Sequence, residues 1–166
     1  MRIVRHLSIV CAVLAIAGCT STPPDTAAAD TEAINRLRTD YIAAVNAEDA
    51  AKVAALFTED GMRMEANMPA VKGREAIQKG LAELFAAFDA DISITSEELV
   101  VNGDWAFDRG QYMTHLMPKD PKQQMIMEQG KYLVILQKGA DGAWRVAREI
   151  GNSNIPLPPP PGPAAQ

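Results

Sequence analysis

Five polar residues near the C-terminus fall at positions that strand alternation would turn toward one face: Asp108, Tyr112, Lys131, Arg148 and Asn152. The positive charges of Lys131 and Arg148 would hold an acidic or carbonyl-bearing ligand. Charges on an inward face need partners, so the same two bases could instead pair with acids inside a filled fold. A shift of one residue in register turns a strand's side chains to the opposite face. The residues leave both interpretations open.

Four predicted strands position these side chains. Apolar residues recur there with a period of two, between turn signals, over Asp91–Val101, Trp105–Met117, Met125–Lys138 and Ala143–Ser153. Asn102-Gly103 is typical of a hairpin turn, and Gly139-Ala140-Asp141-Gly142 predicts a second one. The C-terminal half therefore predicts a four-stranded antiparallel meander.

The N-terminal half has the apolar spacing of amphipathic helices. This spacing predicts three helices and one short strand, over Glu32–Ala47, Ala50–Phe57, Met62–Asn67 and Gly73–Phe88. Helices followed by strands indicate an α+β domain, with about three helices packed on one face of a curved antiparallel sheet. A sheet that curls over helices can enclose a ligand pocket.

The first 18 residues have the pattern of an export signal. Arg2 and Arg5 precede an apolar run that is too short to span a bilayer. The run ends in Leu-Ala-Ile-Ala-Gly before Cys19, which resembles the bacterial lipoprotein box and implies lipidation of that cysteine. Thr20, rather than Asp, follows it, so the resemblance implies the outer membrane, with the domain facing the periplasm. The alternative is an ordinary secretory signal with an incidental cysteine.

The rest of the chain divides into three segments of different composition. Residues 19–30 are small and polar and predict a flexible tether. Residues 31–155 are enough for one domain with one core. Residues 156–166 are rich in proline and predict a disordered tail, with a polyproline ligand for a partner domain as the alternative.

Cysteine and charge content exclude some classes of function. The only cysteines are Cys11 and Cys19, so no internal disulfide is expected in the mature protein. The formal net charge is −5, and removal of the signal would make the chain more acidic. An acidic chain without a basic stripe argues against a nucleic-acid partner. It argues equally against a polybasic membrane-binding face, so the lipid alone would hold the protein at the membrane.

Five segments carry a resemblance to a known superfamily: Tyr41–Asp49, Ala55–Asp60, Gly73–Ile77, Asp141–Val146 and Gly151–Ile155. Together they resemble the nuclear transport factor 2-like superfamily, and within it the SnoaL-like and ketosteroid-isomerase-like proteins. The resemblance implies a cone-shaped half-barrel with a cystatin-like arrangement and a cavity for a small-molecule ligand. It also implies a homodimer formed through the open face of the sheet. It does not select an activity, because the superfamily includes isomerases, dehydratases, cyclases and proteins without a known reaction.

Carried over to this sequence, the isomerase pattern implies two catalytic residues. Glu65 would be the general base and Tyr41 the donor to the developing enolate oxygen. The second donor of that pattern would fall near Lys131, which is not an acid. The alternatives are an enzyme of the isomerase, dehydratase or cyclase type, a binding domain, and a structural domain in which Glu65 is ion-paired and Tyr41 belongs to the core.

Other chemistries lack their residues. After processing, His115 is the only histidine, and its place near the end of a strand favours an exposed residue over a catalytic one. We therefore expect no zinc site, no catalytic triad and no cofactor. Seven methionines cluster in the predicted strands and loops: Met62, Met64, Met68, Met113, Met117, Met125 and Met127. Adaptable packing explains them, with copper capture as the alternative because exposed thioethers favour soft metals.

Overall fold

The computed structural model describes residues 26–156. The predicted signal, Cys19, the first part of the tether and nearly all of the proline-rich tail lie outside this range. The described elements are α1 Thr26–Asn46, α2 Ala50–Ala55, β1 Phe57–Met64, β2 Val71–Lys72, α3 Arg74–Ala87, β3 Phe88–Asn102, β4 Trp105–Pro118, β5 Ile126–Lys138 and β6 Trp144–Ser153. None of the described helices is both long and apolar enough to cross a membrane.

The six strands form one curved mixed sheet in the order β2-β1-β6-β5-β4-β3. Strands β3 to β6 make the expected antiparallel meander. The prediction of a purely antiparallel sheet is wrong for one pair of strands, because β1 lies parallel to β6. The two strands are far apart in sequence, and no local pattern encodes such a pairing.

The turns of the meander lie where glycine predicted them. Asn102 pairs with Trp105, so Gly103 and Asp104 form a two-residue connection in which Gly103 has a φ of 59°. At the second turn, Gly142 has a φ of 77° and its N–H donates to the Gly139 carbonyl. Glycine adopts positive φ without the steric cost that other residues incur.

Helix α1 begins earlier than its apolar spacing predicts, so residues 26–30 are helical and do not belong to the tether. Asp30 is the reason. Its buried carboxylate accepts hydrogen bonds from Lys138 Nζ at 2.7 Å and Trp144 Nε1 at 2.9 Å. These bonds hold the pKa of Asp30 below its usual value. The contact joins the first turns of α1 to the end of β5 and the start of β6. Such a long-range contact cannot be predicted from the spacing of residues along the sequence.

The core lies between the helices and the concave face of the sheet. Its most buried large side chains come from both layers: Phe57, Ile34, Ile77, Leu81, Leu136 and Val53. The register shifts between Ser96 and Glu98 in β3, and again at Ala147 in β6. Bulges of this kind bend a sheet and increase its twist. The bent sheet and the helices leave a cavity between them.

Candidate functional site

A cavity of ≈ 370 Å³ lies between the concave face of the sheet and helices α1 and α3. Most of its wall is aliphatic, with side chains that include Ile34, Leu37, Leu84, Ile92, Ile94 and Val134. The charged and phenolic side chains of the wall form groups at three places. An apolar cavity with a few convergent polar groups is the usual form of a small-molecule site.

Arg63 holds two carboxylates together at the first polar place, which we call the Arg63 cluster: Tyr41, Arg63, Glu65 and Glu149. Arg63 Nη2 lies 2.6 Å from Glu65 Oε1, and Arg63 Nε donates to Glu149 Oε1 at 3.1 Å. The Tyr41 hydroxyl donates to the same oxygen of Glu149 at 3.4 Å. One guanidinium therefore faces two acids, and the cluster carries an excess negative charge when both are ionised.

Glu149 is the most enclosed acid of the Arg63 cluster, with a side chain that is 13% exposed. Burial raises the pKa of Glu149, and the neighbouring charge of Glu65 adds to this effect, while Arg63 opposes it. Burial also raises the pKa of Tyr41, so its phenol keeps its proton. An enclosed carboxyl group with a raised pKa beside a phenol donor is a candidate for proton transfer.

Asp108 forms the second polar place, with Arg38, Ser96 and Tyr132. The Asp108 side chain is only 3% exposed and accepts hydrogen bonds from Arg38 Nε at 2.8 Å, from the Ser96 hydroxyl and from the Tyr132 hydroxyl at 3.2 Å. Burial and the charge of Asp108 raise the pKa of Tyr132 to about 12. Arg38 Nη2 is also buried, 2.8 Å from Asp108 Oδ2, yet it has no well-aligned acceptor among the described residues.

Tyr112 and Glu128 form the third polar place, next to the Arg63 cluster. The Tyr112 hydroxyl donates to Glu128 Oε1 at 2.8 Å. A side chain built on Gly151 would meet Glu65 Oε2 at 3.4 Å and the Tyr112 hydroxyl at 3.7 Å. Burial, the hydrogen bond to Glu128 and the charges of the nearby acids raise the pKa of Tyr112. This part of the cavity therefore combines phenol donors with an excess of carboxylates.

A family model described as the SnoaL-like domain matches residues 26–149. The chain belongs to this family. None of the curated proteins matches it.

Solved structures support the same fold for this SnoaL-like domain. A ketosteroid isomerase-like protein from Erwinia carotovora atroseptica is 26% identical with a TM-score of 0.68, over 75% of this chain and 96% of that one. An NTF2-like protein with a cystatin-like fold from Novosphingobium aromaticivorans is 20% identical with a TM-score of 0.64, over 80% of this chain and 90% of that one. A hexachlorocyclohexane dehydrochlorinase, LinA-type3, from Novosphingobium barchaimii is 19% identical with a TM-score of 0.68, over 81% and 97%. The last two likenesses concern the fold alone.

Four of the residues predicted from the sequence line the cavity of the SnoaL-like domain: Tyr41, Glu65, Asp108 and Tyr112. The other three do not. Lys131 bonds to Asn154 Oδ1 at 3.1 Å, Arg148 Nη2 lies 3.3 Å from Asp60 Oδ2, and Asn152 is exposed opposite Lys131 in the register. The expectation that these three side chains face the cavity is wrong, and they lie on the outer face of the sheet.

Two features of β5 and β6 explain this error. In β5 the run Leu133–Leu136 is apolar on both faces, so hydrophobicity cannot show which alternate set points inward. The inward residues of β5 include Tyr132 and Val134. In β6, Leu136 pairs with Val146 and Ile135 with Arg148, so Ala147 is an extra residue. This bulge reverses the alternation and turns Glu149 inward in place of Arg148.

Sequence reasoning missed five charged or phenolic residues of the cavity: Arg38, Arg63, Glu128, Tyr132 and Glu149. Two of them had a usable signal. Arg38 is three residues before Tyr41 on a helix, and Arg63 is two residues before Glu65 on an extended segment, so each shares a face with its neighbour. The sequence contains no such signal for Glu149, because its orientation depends on the bulge at Ala147.

The described acidic side chains of the cavity in the SnoaL-like domain are not grouped as a set of metal ligands. Across residues 26–156, no three His, Cys, Asp or Glu side chains are grouped in a way that could hold an ion. The acids of the cavity are instead bonded to arginines and tyrosines. The arrangement is suited to hydrogen bonding and proton transfer.

Proposed function

We propose that this SnoaL-like domain binds a small, largely apolar and uncharged organic molecule that carries a carbonyl or hydroxyl oxygen. The observation that carries the proposal is the apolar cavity of ≈ 370 Å³ with a few convergent polar side chains on its wall. Tyr41 and Tyr112 at this wall carry hydroxyl groups that can donate to a carbonyl or hydroxyl oxygen of the ligand.

The charges in the cavity support an uncharged ligand. Four acids line it, Glu65, Asp108, Glu128 and Glu149, against two bases, Arg38 and Arg63. Both arginines are already paired with acids. An anionic ligand would enter a cavity with excess negative charge, and Lys131 and Arg148 lie too far outside to compensate.

A substitution at Gly151 tests this binding. Gly151→Leu would place a side chain in the cavity beside Glu65 and Tyr112, with a Cβ at ordinary contact distances. We expect the Kd for prodan, a neutral fluorescent naphthyl ketone, to rise by about tenfold or more, equivalent to about 1.4 kcal/mol. Fluorescence titration measures this change.

Two surface variants are the controls for the Gly151 experiment. Arg148→Ala and Lys131→Ala change the outer face of the sheet, so each should bind prodan as the wild type does. Equal affinity in the Gly151→Leu variant, or loss of binding in Arg148→Ala, would contradict the proposal.

Proton transfer is the second candidate function, and the raised pKa of Glu149 is the observation that favours it. In this proposal Glu149 or Glu65 takes a proton from a carbon beside a carbonyl, and Tyr41 donates to the oxygen that becomes an enolate. Glu149 is the better base because it is more enclosed than Glu65, whose side chain is 36% exposed.

Replacing Glu149 tests the proton-transfer proposal. Glu149→Gln keeps the shape of the side chain and removes its base, so turnover of an enolisable ketone should fall by about 10²–10⁴-fold. Ultraviolet absorbance across a panel of cyclic ketones measures this loss. Glu32→Gln, on the exposed face of α1, is the matched control and should keep full turnover. An inactive wild type across the panel, or an active Glu149→Gln variant, would exclude this role.

Comparing the pH dependence of stability in the wild type and in Glu149→Gln tests whether the Glu149 carboxylate is a buried charge in the folded protein. A raised pKa means that the folded state binds the proton more tightly than the unfolded state, so Glu149 costs stability as the pH rises above its ordinary pKa of 4.5. The variant should therefore gain stability relative to the wild type from pH 4 to pH 7 in urea unfolding. Asp141→Asn should show the opposite trend at lower pH, losing stability relative to the wild type as the pH rises from about 2 to about 4, because the hydrogen bond from Arg145 holds the pKa of Asp141 below its ordinary value of 3.8.

A further inference from the structure

The outer face of β4 carries a pattern of soft ligands that the cavity does not use. Met113, His115 and Met117 alternate along β4, and the residues between them, Thr114 and Leu116, line the cavity. Successive side chains of a strand point to opposite faces, so the two methionines and the histidine share the outer face.

The neighbouring strands add further ligands at the same place. Met127 of β5 lies directly opposite His115 in the register. On the other side of β4, Asp91 of β3 is paired with His115. Directly opposed residues have Cα atoms roughly 5 Å apart, and alternate residues of one strand are roughly 7 Å apart. The flexible thioether side chains can reach across these distances to one point.

The methionines of this patch are exposed on the single chain and do not belong to its core. Met113 is 38% exposed, Met117 49% and Met127 50%. His115 is partly exposed, and its Nδ1 lies 3.6 Å from Asp91 Oδ2. A small movement would let this carboxylate accept a hydrogen bond from Nδ1–H, an arrangement that orients the imidazole, leaves Nε2 available and is the usual outer-shell support for a metal-binding histidine.

We infer that Met113, His115, Met117 and Met127 form a binding site for a soft monovalent metal ion, Cu(I). Thioether ligands select Cu(I) over harder divalent ions, and one imidazole with three thioethers is a donor set of that kind. A single histidine with no cysteine nearby does not suit zinc. The site lies on the opposite face of the sheet from the cavity, so it is independent of the proposed ligand binding.

Competition with a chromogenic chelator tests the copper site. The full chain, with Cys11→Ser and Cys19→Ser in every sample to remove competing thiols, is titrated with Cu(I) and bathocuproine disulfonate without oxygen. We expect one Cu(I) per chain. The triple variant Met113→Leu, Met117→Leu and Met127→Leu should lose it, because leucine replaces methionine with little change in packing but has no sulfur donor.

Three single variants separate ligation from other effects. His115→Asn should weaken Cu(I) binding by about tenfold or more, and Asp91→Asn by about 10–100-fold through the imidazole it orients. Met68→Leu is the matched control, because Met68 is 65% exposed but lies at the cavity and should leave Cu(I) binding unchanged.

Several results would overturn the copper site. The wild type could fail to take Cu(I) from the chelator, or the triple variant could bind Cu(I) with wild-type affinity. Met68→Leu could also weaken Cu(I) binding as much as the triple variant does. Binding of prodan by the triple variant should stay at the wild-type level, so failure of the copper site and failure of the cavity proposal give different results.

Discussion

Asp108→Ala is expected to destabilise the fold by about 3–5 kcal/mol, the cost of breaking a buried ion pair from one side. The Asp108 carboxylate is nearly inaccessible and accepts hydrogen bonds from Arg38, Ser96 and Tyr132. Without it, the guanidinium of Arg38, which is 18% exposed, keeps a charge with no counter-charge beside it. Urea unfolding followed by circular dichroism measures the loss.

A double variant separates the role of the pair from a defect of packing. Arg38→Met with Asp108→Leu removes both charges, so it should recover much of the stability that Asp108→Ala loses. Asp60→Ala breaks an exposed pair with Arg148 and should change stability little. Exposed ion pairs contribute less than about 1 kcal/mol. If Asp108→Ala lowered the free energy of unfolding by no more than this, the prediction would be wrong, and the cavity would have to solvate Arg38 well without its partner.

Gly110→Ala is expected to cost about 3 kcal/mol, at the upper end of the usual range for overpacking. A Cβ at this position would overlap the Thr95 carbonyl oxygen and lie 3.0 Å from Ser96 Cα. Both contacts are to the backbone of β3 at its bulge, so no side-chain rotation relieves them. The adjacent strands would have to separate, and thermal and urea unfolding both measure the result.

Gly80→Ala is the matched glycine control. It lies within α3, where an added Cβ meets nothing within 4 Å. We expect a gain of roughly 0.5–1 kcal/mol, because alanine loses less conformational freedom in a helix. A Gly110→Ala variant as stable as the wild type would contradict the prediction. It would mean that β3 and β4 can separate at the bulge at little cost in stability.

The resemblance and the apolar spacing anticipated the α+β cone and the order of its elements except for the short strand β2, which no predicted strand covers. The predicted strand Trp105–Met117 and the observed β4 differ by one residue at the C-terminal end. The family was visible in short segments such as Gly73–Ile77, and the family match covers most of the chain. These properties are local, because backbone propensity, turn chemistry and periodicity act over a few residues.

The lipid anchor on Cys19, the cell-envelope location and the homodimer stay predictions from the sequence. They concern residues outside the described range or contacts with a second molecule. The roles of Glu65 and Tyr41 also stay predictions, although both side chains line the cavity.

Local pattern was enough to define the strands that form the cavity wall, but not the face that each strand presents to it. Lys131 and Tyr132 directly precede a run that is apolar on both faces, and pairing with β4 and β6 places Tyr132 inside. One extra residue at Ala147 exchanges Arg148 for Glu149 and makes the polar wall acidic instead of basic. Residue types and periods are set along the chain, whereas register, bulges and the Asp30 contact depend on segments that meet only after folding.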